Sequence, residues 1–230
     1  MANPKNKSLD KDALKRPDEF LALNAKFMIW VIQHKALVIA IVVVILLIGA
    51  GFSGFKYYGY LQEGNAAELV ARAKQVYLTE MEAGNADAFK TANAVFEEVF
   101  SIYGKTKNAA YARLIHANIA YQAKEYELAL ASYQTALKTY SGDPVVSANI
   151  QNSIGYCYMA LDNNKGALEA FQAVVNNAKS ALQDDALYNI GILYAKMDDP
   201  QKSAAAFEQI LTKYPDSLHA ELLENRPDLD

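Results

Sequence analysis

Residues 186–215 read ALYNIGILYAKMDDPQKSAAAFEQILTKYP, and the spacing inside this stretch decides the fold. A small residue, Gly191, is followed twelve positions on by Ser203 and four further by Phe207, with a polar turn, Asp198-Asp199-Pro200, in between. Two upstream segments repeat the arrangement: NSIGYCYMALDNNKGALEAFQAVV from Asn152 and RLIHANIAYQAKEYELALASYQTAL from Arg113. There the small residues are Gly155 and Ala117, followed by Ala167 and Ala129 and then by Phe171 and Tyr133. The copies lie 38 and 36 residues apart, a period that belongs to stacked repeats of helix pairs.

The residue types follow from packing. Small side chains on each of two antiparallel helices let the backbones approach, and an aromatic fills the space where the second helix meets the next repeat. Polar segments at Lys124-Glu125, Asp162-Asn163-Asn164-Lys165-Gly166 and Asp198-Asp199-Pro200 end one helix and begin another. Such a pattern predicts an all-α fold and no chemistry.

On these positions the chain resembles the tetratricopeptide repeat family. In the last copy Leu187, Ile190, Gly191, Tyr194, Ser203, Phe207 and Pro215 match the signature, with Ser203 in place of the family's Ala. The middle copy keeps Gly155, Tyr158, Ala167 and Phe171 but lacks the closing Pro. The first keeps Ala117, Tyr126, Ala129, Tyr133, Ala136 and Leu137, while His116 replaces the usual Leu. A degraded fourth copy precedes them, with Phe89, Ala92 and Phe96 standing 37 residues before Tyr126, Ala129 and Tyr133, and its first helix at 66–83. The resemblance implies a solenoid of three to four helix pairs over 66–225, followed by a short tail, 226–230.

Upstream, the sequence obeys another rule. Residues 36–55, ALVIAIVVVILLIGAGFSGF, contain no charge and are bounded by Lys35 and Lys56. A helix needs roughly twenty residues to cross a bilayer core, and Trp30 on one side with Tyr57, Tyr58 and Tyr60 on the other suit its two interfaces. We therefore expect a transmembrane helix over 36–58 and a linker over 59–65. Two alternatives compete with it. A buried core helix would have to hide every face in a small domain, and a cleaved signal peptide would have an unusually long region before its apolar core, although Gly49, Ala50 and Gly51 offer small residues for cleavage.

Charge is divided unevenly: residues 1–35 carry seven Lys or Arg against four Asp or Glu, and the rest fifteen against twenty-two. The basic leader places the N-terminus in the cytoplasm and the repeats across the membrane. Within the leader Pro17 and Asp18 can start a helix in which Phe20, Leu23, Phe27 and Trp30 share a face. That helix either lies in the membrane plane or extends the spanning helix. The acidic body has no basic face to neutralise phosphates, so nucleic acid is excluded as the main partner.

The whole layout, a basic leader, one span and a short acidic array in which YGKT precedes AAYARL, is similar to the YfgM family of ancillary translocon proteins. That resemblance implies a bacterial inner-membrane protein with a periplasmic repeat domain, with Sec translocon subunits and a membrane-anchored periplasmic chaperone as partners. Two other roles fit the same layout: a structural scaffold of a division, pilus or secretion complex, and a regulatory anchor facing the cytoplasm.

In the repeat family the first helix of each pair lines the concave side, through its second, fifth, ninth and twelfth positions. Carried onto this chain, those positions hold Tyr111, Leu114, Asn118 and Tyr121, then Asn149, Asn152, Tyr156 and Met159, then Asp185, Tyr188, Ile192 and Ala195. The resemblance thus implies an aromatic and amide-lined groove for a protein segment. Leu114, Asn152 and Tyr188 stand where some relatives carry a Lys clamp for terminal carboxylates, which argues against an acidic peptide end. Single Tyr residues at this spacing also pack between repeats, and a C-terminal helix over 217–225 is placed to cover part of the stripe.

Catalytic chemistry finds no motif. His34, His116 and His219 are far apart and none has a second ligand at metal-binding spacing. His116 falls on the packing face of its helix pair, where a hydrogen-bonded core histidine is expected. Cys157, the only cysteine, reads as a small buried residue, and no phosphate loop or nucleophile elbow occurs. We expect no enzyme, cofactor or metal.

Overall fold

A computed structural model describes residues 19–225. The expected helix start at Pro17 and Asp18, the rest of the leader before it and the tail 226–230 lie outside the described residues. Among the described residues there are ten helices and no strand. The chain divides into two compact units, Met1–Tyr58 and Gly59–Asp230.

In the first unit, α1 spans Glu19–Gln33 and α2, Lys35–Glu82, begins. Helical hydrogen bonding passes through the joint, from the His34 amide to the Trp30 carbonyl at 2.9 Å and from Val38 to His34 at 3.0 Å. Helical bonding therefore does not stop at the turn between α1 and the apolar helix. The aromatic rings of α1 follow the same face, Phe27 stacking on Trp30 and Trp30 on His34 at 5.0 Å between centroids. Apart from half-buried Val38, residues 36–55 keep their apolar side chains exposed, Leu46, Leu47 and Ile48 to about two-thirds of their surface.

The second unit is the repeat array. Residues 59–65 are helical throughout, inside α2, so the expected linker is a stretch of uninterrupted helix. Gly59 and Gly64 lower helix propensity there without breaking the helix, and Glu63 gains a fixed role across the fold. Its carboxylate accepts the first amides of α4 (Lys107–Gln122), from Lys107 at 2.7 Å and Asn108 at 3.1 Å, and the Asn108 side chain returns two further bonds at 3.0 Å. Desolvation raises the Glu63 pKa, but those donors together outweigh it and hold the carboxyl below its ordinary range.

Beyond Gly64, α2 becomes periodic. Ala66, Val70, Ala73 and Tyr77 are buried along one side of the helix, and the last three share an apolar cluster with Ala92, Phe96 and Val99 of α3, Ala88–Tyr103. Three more antiparallel pairs follow: α4 with α5 (Tyr126–Tyr140), α6 (Pro144–Ala160) with α7 (Asn164–Val175), and α8 (Gln183–Lys196) with α9 (Pro200–Lys213). A short helix, α10 (Leu218–Glu224), ends the array by burying Ala220 and Leu223 beside Leu187, Phe207 and Ile210.

Helix starts are fixed by side chains that satisfy free backbone amides. Thr106, Asp143, Asn163, Asp199 and Ser217 each accept an amide of the first turn, and Pro144 and Pro200 occupy first helical positions, where no amide is needed. The first helix of each pair ends in the same way four times over. Gly84, Lys124, Asp162 and Asp198 take positive φ of 71, 65, 54 and 60°. Each donates to the carbonyl three residues back, and the next residue to the carbonyl five back: Asn85 to Glu80, Glu125 to Ala120, Asn163 to Tyr158 and Asp199 to Tyr194, at 2.8–2.9 Å. This double bond pattern closes a helix C-terminus and reverses the chain. In the degraded first copy the second helix follows later: Ala92 lies eight residues after Gly84, whereas Ala129, Ala167 and Ser203 lie five after Lys124, Asp162 and Asp198.

The small-to-aromatic contact is equally literal. A methyl group added to Gly155 would stand 2.6 Å from the Phe171 ring, and one added to Gly191 2.3 Å from the Phe207 ring. Glycine at these two places is required because the ring occupies the volume a Cβ would take.

Candidate partner-binding face

The stripe positions lie on α4, α6 and α8, and the structure treats its two ends differently. On α4, Tyr111 is exposed over half its surface and Asn118 is open to solvent, while Leu114 and Tyr121 pack partly into the core. Asn118 Oδ1 accepts the hydroxyl of buried Tyr133, which crosses from α5. Tyr121 sets its ring edge-on to Tyr126 at 5.3 Å. On α6, Asn149 is exposed and bonds the Val145 carbonyl at 3.1 Å, and Met159 leans on the cluster containing Phe171.

Across α6 and α8 the stripe becomes a polar network. Asn152 Nδ2 donates to Asp185 Oδ2 at 2.9 Å, and the Tyr156 hydroxyl lies 2.9 Å from both Asp185 oxygens. Asn189 donates to the Tyr156 oxygen at 3.0 Å and to the Asp185 carbonyl at 2.8 Å. Burial, with the Asp185 charge beside it, pushes the Tyr156 phenol up to about 12, so it remains a donor to the carboxylate. Tyr188 and Ile192 flank this network, packed against the Phe207 cluster, and Ala195 is exposed one turn beyond Ile192. Here α10 does cover the stripe: His219 stacks on Tyr188 at 4.6 Å between ring centres and holds Nε2 3.3 Å from Asp185 Oδ1.

Sequence spacing selected Asn152, Tyr156, Asp185 and Tyr188 as one face, and the structure brings all four together. It did not single out Asn189 or His219. Asn189 lies one position beyond the stripe, and His219 arrives from a helix outside the repeat pattern, so no periodic signal reaches either.

Two other polar groups belong to the core. His116 is buried among Phe89, Phe96 and Phe100, with Nδ1 2.8 Å from Ser132 Oγ and Nε2 2.6 Å from Asn93 Oδ1. A neutral imidazole satisfies both contacts, donating to Asn93 and accepting from Ser132. Burial, reinforced by the nearby Arg113 charge, lowers its pKa to about 4. Cys157 is fully buried, and the loss of water pushes its thiol up to about 12, the state of an unreactive core side chain.

A family model described as a tetratricopeptide repeat-like domain matches residues 29–228. The chain belongs to the tetratricopeptide repeat-like family. Among solved structures it is similar to a tetratricopeptide repeat protein from Parabacteroides merdae, at 17% identity and TM-score 0.52, over 67% of this chain and 57% of that one. It is also similar to the apo form of RapI, at 18% identity and TM-score 0.51, over 68% of this chain and 44% of the other. The tetratricopeptide repeat chain described here thus spans little more than half of the first and less than half of the second, and the likeness concerns the fold alone. No curated protein matches the sequence significantly.

Proposed function

We propose that this protein is a single-pass membrane scaffold that gathers protein partners on the first-helix face of its repeats. The observation that carries the reading is the stripe itself. Tyr111, Asn118 and Asn149 stand in solvent on consecutive first helices, next to the half-buried rings of Tyr121, Tyr156 and Tyr188. Rigid aromatic surface beside amide donors and acceptors is what an extended or helical protein segment needs to bind.

Membrane anchoring draws support from residues 36–55, uncharged, helical and apolar on every side. Water would penalise such a surface heavily, whereas lipid matches it. The family match begins at residue 29 and so takes in this helix together with the repeats, which speaks against a discarded leader. The basic leader favours a cytoplasmic N-terminus and hence an array on the periplasmic side of a bacterial inner membrane.

Within that setting the protein acts without catalysis, as an accessory or chaperone-linked factor of protein translocation or envelope biogenesis. Support for this finer role comes from the layout of leader, span and short acidic array. Copurification from native membranes tests it: translocon subunits or a membrane-anchored chaperone are the expected partners. A single stoichiometric envelope complex would favour the structural scaffold instead. Protease added to cells with a permeabilised outer envelope is expected to degrade residues 60–230, and their protection would reverse the orientation.

A further inference from the structure

One corner of the stripe is arranged for a cation. Asp185 is the only charged residue among the twelve stripe positions, and its side chain keeps 23% of its surface open. The neighbouring donors, Asn152 and Tyr156, fix the carboxylate in place. The chain's own His219 occupies the remaining approach, ring flat on Tyr188 and Nε2 toward Oδ1.

That occupant fits incompletely. At 3.3 Å its contact is long for a nitrogen donor on a carboxylate. His219 Nδ1 is buried without a partner, and so is Oδ1 of Asn152, a side chain whose residue is only 8% exposed. His219 leaves its own Nδ1 unmet while it sits there, and with it in place the Asn152 oxygen stays unmet beside Asp185, so the chain itself does not complete the hydrogen bonding of this corner. A planar group with several N–H donors and a positive charge meets these demands better than imidazole. It can bond Asp185 Oδ1 in place of His219 and stack on Tyr188, and Asn152, whose amide nitrogen lies 2.9 Å from Asp185 Oδ2, offers its unpaired oxygen to a further donor. Guanidinium has that shape, with donors in a fixed fork and a face that stacks on aromatic rings. The surrounding acidic body, fifteen basic against twenty-two acidic residues after position 35, favours the same sign of charge.

We infer that this corner is an arginine subsite for a bound protein segment, its place held by His219 of α10 until the segment arrives. The inference rests on reading the stripe as the partner-binding face.

Calorimetric titration of the full-length chain in detergent micelles tests this, using a blocked Ala-Arg-Ala tripeptide and its citrulline counterpart, which keeps the shape and loses the charge. The arginine peptide is expected to bind at least about ten-fold more tightly, the scale of one charge-assisted hydrogen bond. Asp185→Asn and, independently, Tyr188→Leu are expected to abolish that preference in protein that keeps its helical circular dichroism. His219→Ala is expected to strengthen arginine-peptide binding several-fold by vacating the seat. Equal binding of the two peptides, no binding of either, or weaker binding to His219→Ala overturns the subsite. A photo-crosslinker at Asn149 separates the levels: protein captured there without any arginine preference removes the subsite alone, and no capture removes the partner-binding face as well.

Discussion

The helix pairs α4–α5 and α8–α9 hold the same register and are closed by different chemistry. In α8–α9 a glycine lies against a phenylalanine ring with no room for a methyl group. In α4–α5 the equivalent places are Ala117 and Tyr133, and the tyrosine hydroxyl reaches out to Asn118 on the stripe. One residue before Ala117, where the family usually has Leu, His116 ties the pair to Ser132 and, through Asn93, to α3 of the degraded copy. The repeat therefore specifies distances between helices, and unlike side chains meet them. The late pair is limited by steric fit, the early pair by the protonation of one buried base.

Breaking the late pair has the largest expected effect. Phe207→Ala removes the ring that fills the space over Gly191 and is expected to cost about 3–5 kcal/mol in urea unfolding of the full chain. Because repeats contact chiefly their neighbours, amide exchange should rise first in α8, α9 and α10 and leave α2–α3 protected. Next comes Gly191→Ala, which forces the ring aside and is expected to cost about 1–3 kcal/mol. The opposite change, Ala117→Gly, strains nothing and is expected to cost about 1–2 kcal/mol, the helix propensity together with one buried methyl. Equal costs for the two would mean that the pairs close alike after all.

Acid distinguishes the pairs in the reverse sense. With His116 held neutral at a folded pKa of about 4, against an ordinary value of 6.5, the unfolded chain binds the extra proton between those values. Stability is thus fully present above pH 6.5 and falls as pH drops towards 4, by about 2 kcal/mol from pH 7 to 5. Thermal melts at the two pH values are expected to show that loss in the wild type, and a reduced loss in His116→Leu combined with Ser132→Ala. The smallest effect lies in the turns. Lys124 adopts the left-handed conformation that Gly84 supplies without strain in the first copy. Lys124→Gly is therefore expected to raise stability by up to about 1 kcal/mol, read as a higher melting temperature.

Much of this architecture is legible in the sequence because it is periodic. Gly155 with Phe171 and Gly191 with Phe207 announce the helix contacts, Asp162 and Asp198 fall in the expected turns, and His116 shows itself on a packing face. What escapes is made by partners far apart in the chain. Glu63 caps α4 across more than forty residues, and a stretch with two glycines reads locally as a linker although it is helix. His219 reaches Asp185 from a helix that belongs to no repeat. Such contacts depend on where the stacked pairs bring distant residues, which neither composition nor period encodes.

Site-specific photo-crosslinking in native membranes decides which surface meets other proteins. Probes at Tyr111, Asn118 and Asn149 on the first helices should capture the same protein partners, while probes at Glu169 and Glu208 on the second helices should capture few. Capture mainly from Glu169 and Glu208, with the first-helix probes silent, would contradict the account.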